Sequence, residues 1–105
     1  MEIERGRAEM RAEFSEARAL VLDGRLSLFQ NNFGDAIQRF QGARDLIGRV
    51  QARLRQMGQV EQAGRLEIAI SELSDAQRAS STFDTVRAQA AADRAVQALR
   101  VAAGR

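Results

Sequence analysis

The chain has 105 residues, a length suited to one domain that buries roughly two thirds of its unfolded surface in a single core. It contains no Cys and no His, and all 16 basic residues are Arg, so disulfides, thiolate metal sites, imidazole acid–base chemistry and Lys Schiff bases are excluded. Against 14 acids the net charge is only +2; residues 36–65 carry six Arg against two acids and form the basic part of the chain.

Proline is absent and the β-branched and aromatic residues that sheets favour are scarce, so the composition belongs to helices. The spacing predicts a first helix over about 2–30. Arg7, Phe14, Val21 and Leu28 alternate with Ile3, Met10, Ala17 and Gly24 at intervals of three and four, giving a mostly apolar seam. Glu2, Glu9, Glu16 and Asp23 line one flank, and Arg11, Arg18 and Arg25 the other. Leu22, Leu26 and Phe29 make a second apolar strip. Met1 runs into the seam without a capping residue, which raises the expectation of a longer helix, one descending from a membrane anchor elsewhere in a longer protein.

Asn31 and Asn32 supply the left-handed and capping conformations for a reversal. The second helix is expected over about 34–57, with Phe33, Phe40, Ile47 and Leu54 interleaved with Ala36, Ala43, Val50 and Met57, and Gly58 stops it. A third helix over about 59–80 presents Ala63, Leu66, Ile70, Leu73 and Gln77 on one face, while Ile68 projects onto its polar side. Ser81 with Asp84 resembles a capping box before a fourth helix over about 83–103, whose face of Thr85, Ala88, Ala92, Ala95, Leu99 and Ala102 is made of small residues. Short connections between such rods force antiparallel neighbours, so the expectation is an all-α, up-down domain of four helices over residues 1–105.

Residues 31–35 parallel residues 81–85 at an offset of 50, either through duplication of a helical hairpin or because two ordinary polar turns precede two amphipathic helices. Gly24 reads as a point of close helix contact, and Gly48 as either such a contact or a bend.

Between Ala17 and Ile47, a small residue in the first helix, Gly24, faces an Ala-x-x-x-aromatic step in the second, Ala36 to Phe40, and on these residues the first hairpin resembles a tetratricopeptide repeat. Leu20, Gly24, Ala36, Phe40 and Ala43 fall at that family's intervals, while Asp23 and Ser27 replace apolar and aromatic positions and no Pro closes the unit. The chain therefore reads as two tetratricopeptide-like hairpins rather than a tandem array. The resemblance implies a binding module whose groove-facing residues, by position, are Arg18, Val21, Arg25, Leu28 and Phe29.

Arg18 and Arg25 suit either cover of apolar surface with pairing to a neighbouring helix or recognition of a partner's carboxylate. Arg44, Arg49, Arg53 and Arg55 suggest a basic patch, read either as a solvated face or as an anion-binding one; all five Phe are assigned to packing. The carboxylate pairs Glu9 with Glu13 and Glu72 with Asp75 sit on charged faces, and no phosphate or calcium loop appears. No cofactor or metal is expected. The longest strongly apolar run is Leu20 to Leu22, far short of the roughly 20 residues a membrane helix needs, so this segment is expected to be soluble. The function expected is a non-enzymatic interaction or scaffold domain that docks a partner protein or a copy of itself through the first helix. The alternative is binding of nucleic acid or acidic membrane through the second helix. A spacer in an envelope-anchored assembly comes third.

Overall fold

Four helices account for nearly the whole chain: α1 (Glu2–Phe29), α2 (Phe33–Gln56), α3 (Val60–Ser81) and α4 (Thr85–Ala102). They come from a computed structural model that describes residues 2–103, with side chains from residue 4; the expected roles of Glu2 and Ile3 therefore lie outside the described side chains.

All three connections are three-residue turns of one design. Their middle residues, Asn31, Gly58 and Phe83, take left-handed φ values of 58°, 77° and 61°. The next residue sends its N–H back to the preceding helix: Asn32 to the Ser27 carbonyl at 2.8 Å, Gln59 to Leu54 at 2.8 Å and Asp84 to Ala79 at 2.9 Å. This bond satisfies a carbonyl that the helix end leaves open. The same residue then starts the new helix by accepting from Ala36, Ala63 or Ala88. The residue at each of these three positions is Ala, and each is fully buried.

Two expectations at the turns are corrected. The last turn is not capped by Ser81, which closes α3 and donates to the Arg78 carbonyl at 2.7 Å; Asp84 is the N-cap and accepts from the Arg87 N–H at 3.1 Å. The hairpins also correspond at a spacing of 52 residues rather than 50, because the backbone matches Asn31 with Phe83, Asn32 with Asp84 and Ala36 with Ala88.

Each helix packs antiparallel against the next, and α4 returns beside α1, so the core lies between four corners of a rod 45 Å long and about 20 Å across. Val21, Leu28, Phe40, Ile47, Val50, Leu66 and Leu73 are its largest fully buried apolar side chains. The α3–α4 side is built from alanines, Ala69, Ala76, Ala88, Ala91, Ala92 and Ala95 among them, which bring two backbones close. The α1–α4 side is the thinnest. Met57, expected on the α2 seam, is instead largely exposed at the helix end, and Arg7 is in solvent. Leu46 and Gln51 are buried although the seam omits them, because α2 touches α3 as well as α1; Gln51 donates to the Ala63 carbonyl at 3.0 Å.

Candidate interaction surface

The residues expected to face a groove are not on one surface. Val21 and Leu28 are fully buried, since the seam that carries them is the face α1 turns to the core; they are withdrawn as partner-binding residues. Arg25 closes the joint to α4: its Nε donates to Gln89 Oε1 at 3.1 Å, its Nη1 reaches Asp93 at 3.5 Å, and the Gln89 amide donates back to the Arg25 carbonyl at 3.0 Å. Arg18 is exposed and makes no ion pair among the described residues.

Phe29 stands 70% exposed, with Leu26 at 56% and Leu22 at 41% beside it. Leu22 and Phe29 lie three and four residues from Arg25 and so share its face of α1. Because α1 and α4 run antiparallel through the Arg25–Gln89 joint, Phe29 sits at the level of the first turn of α4, where Val86 is 83% exposed. At the same end the rings of Phe33 and Phe83 meet edge to face, with centroids 5.1 Å apart. The assignment of all five Phe residues to packing is thus corrected: Phe40 is core, Phe14 and Phe33 are half-buried, and Phe29 and Phe83 are largely in solvent.

The basic stretch of α2 is divided between two faces and largely neutralised. Arg53 bonds Glu13 at 2.8 Å and approaches Glu9 at 3.6 Å, while Arg49 lies 3.7 Å from Glu13, all toward α1. Toward α3, Arg55 lies 3.9 Å from Glu67 and Arg44 donates to Gln77 at 2.7 Å. The carboxylate pairs are committed to the same purpose, Glu72 to Arg94 at 3.0 Å and Asp75 to Arg78 at 3.5 Å. Among the described residues no cluster of three or more metal-ligating side chains forms.

One polar cluster ties the α1–α2 turn together. The Ser27 hydroxyl donates to Asp35 Oδ2 at 2.5 Å, and Arg39 donates to the same oxygen at 2.9 Å while reaching Asp23 at 3.4 Å. The Ser27 hydroxyl and then the Arg39 guanidinium hold the Asp35 carboxyl below its ordinary range, and Asp35 raises Arg39 in turn.

Ile68, expected to be a lone exposed residue, shares a shallow apolar hollow of about 330 Å³ with Val101 between α3 and α4. A second feature escaped the sequence reading altogether. α1 has 28 residues and α4 only 18, so α4 cannot roof the whole of α1. The lengths carried that signal.

No protein-family model, curated protein or solved structure matches the chain. No described helix is long and apolar enough to cross a membrane.

Proposed function

We propose that the chain is a non-enzymatic interaction domain of tetratricopeptide-like hairpins, with α1 as its docking element and a second copy of the chain as the simplest partner. The observation that carries this reading is the strip of Leu22, Leu26 and Phe29, left in solvent along the thinnest joint of the bundle and level with Val86. Single exposed apolar residues are ordinary, whereas several on one face mark a contact surface. Arg25, on the same face as Leu22 and Phe29, is paired internally with Asp93, so its charge is met within the chain beside the apolar strip.

The likeness to tetratricopeptide hairpins draws support from Gly24 lying directly against the Phe40 ring, the small-to-aromatic step of that family. Its departures at Asp23 and Ser27 serve the Asp35–Arg39 cluster instead. The alternative, an anionic surface bound through α2, has weaker support because Arg49, Arg53 and Arg55 already face carboxylates.

Sedimentation equilibrium of the chain and of Leu26→Ser/Phe29→Ser tests the reading. The expected result is concentration-dependent association that survives high salt and is lost in the variant. A chain that stays monomeric to about 100 µM, a concentration at which even weak pairing registers, contradicts it.

A further inference from the structure

The open corner beneath the end of α4 has one-sided chemistry. α4 follows α1 down to the level of Phe14, where Leu99, Arg100 and Ala103 share a hollow of about 290 Å³ with Phe14, Ser15 and Arg18. Gln62 of α3 fixes that end by donating to the Ala102 carbonyl at 2.7 Å. Below it α1 continues for about three turns with none of the described helices on its α4 side. There a hollow of about 570 Å³ opens over Met10, Phe14, Leu54 and Met57, with Arg7 and Arg11 at its edge.

Among the described residues no carboxylate lines either hollow. Arg7, Arg11 and Arg18 make no ion pair among the described residues, and Arg100 reaches only the Gln97 side-chain oxygen at 3.5 Å. Glu4 stands nearer the N-terminus and lines neither hollow. The opposite flank of α1 is different, since Glu9 and Glu13 are met there by Arg53 and Arg49. Unpaired positive charge is therefore gathered around an apolar floor.

We infer that this corner is the docking site for an acidic amphipathic helix of a partner protein, a proposal that rests on the interaction-domain reading. The occupant is helical because the vacancy is the lower length of a bundle corner, spaced for a rod about 10 Å wide, and because a backbone laid on Met10, Phe14, Leu54 and Met57 must satisfy its own N–H and C=O groups. It is acidic because guanidinium forks without partners favour carboxylates and steer an acidic chain toward the floor. A second copy fits poorly. Glu9, Glu13, Glu61, Glu67, Glu72 and Asp75 all face Arg of their own protomer, and the described acids without an ion pair, Glu4, Glu16, Asp45 and Asp84, are spread over α1, α2 and the α3–α4 turn rather than along one helix face.

Fluorescence anisotropy of the full chain with three labelled peptides, each about 18 residues and so roughly 27 Å as a helix, tests the inference. One peptide has Leu at heptad positions a and d and Glu on the flanks, the second has Lys for Glu, and the third has Ser for Leu. The acidic amphipathic peptide is expected to bind at least about tenfold more tightly than either of the others. Arg11→Gln/Arg18→Gln is expected to weaken it and Arg11→Glu/Arg18→Glu to reverse the preference toward Lys, both with unchanged circular dichroism. Absence of binding, equal binding of the acidic and basic peptides, equal binding of the Ser peptide, or indifference to both variants overturns the inference. Retention of self-association through Leu26 and Phe29 in that event shows that the docking site alone has failed; loss of both removes the interaction-domain reading as well.

Discussion

A Cβ placed on Gly24 would stand 2.5 Å from Cε1 of Phe40, so the backbone of α1 touches the buried ring of α2 with no room between them. Phe40 is fully enclosed and cannot swing aside. Gly24→Ala is therefore expected to destabilise by about 1–2 kcal/mol, the overpacking cost exceeding the roughly 1 kcal/mol that Ala gains in helix propensity. Urea unfolding measures it. Adding Phe40→Leu is expected to make the Gly24→Ala cost smaller than in the parent, a coupling that independent sites would not show.

Gly48 and Gly64 behave oppositely. Neither has a neighbour within 4 Å of an added Cβ, and α2 and α3 pass through them unbroken. Gly48→Ala and Gly64→Ala are each expected to stabilise by about 0.5–1 kcal/mol in the same assay. A loss at Gly48 would restore the reading of that position as a required bend.

The Asp35 cluster gives a pH dependence. Its carboxyl titrates lower in the folded chain than in the unfolded one, so the folded state is favoured above the unfolded-state value of about 3.9 and loses that advantage as pH falls through the folded value. Between about pH 5 and pH 2.5 the urea midpoint of the parent is expected to fall further than that of Asp35→Asn. Ser27→Ala, which removes the larger cause of the shift, is expected to fall between them.

Arg53 and Glu13 meet at 2.8 Å across α1 and α2, both only partly exposed. A double-mutant cycle with Arg53→Ala and Glu13→Ala is expected to give a coupling of about 0.5–1 kcal/mol. A coupling near zero would return Arg53 to the pool of free cations and revive the anionic-surface alternative.

The helices and their order were legible because Ala17, Val21 and Leu28 on α1, and Phe40, Ile47 and Leu54 on α2, keep the helical interval without a break, and all are buried. Turn chemistry was legible where the residue declared itself, at Asn31 and Gly58, and illegible at Phe83, whose left-handed backbone an aromatic side chain does not announce. The correspondence of Asn31 with Phe83, 52 residues on, is therefore carried by the backbone and not by residue type. The site was less legible. Val21 and Leu28 belong to the very periodicity that predicted the core, so one pattern could not also mark a surface. Pairings such as Arg25 with Asp93, 68 residues apart, depend on which helices are neighbours, and a heptad pattern leaves that open.

The most direct test of α1 as the docking element is the concentration dependence of the methyl NMR spectrum. Leu22, Leu26 and Val86 are expected to shift and broaden as the chain associates, while Ile68 and Val101, equally apolar and exposed between α3 and α4, are not. Shifts confined to Ile68 and Val101, or none at any concentration, would contradict it.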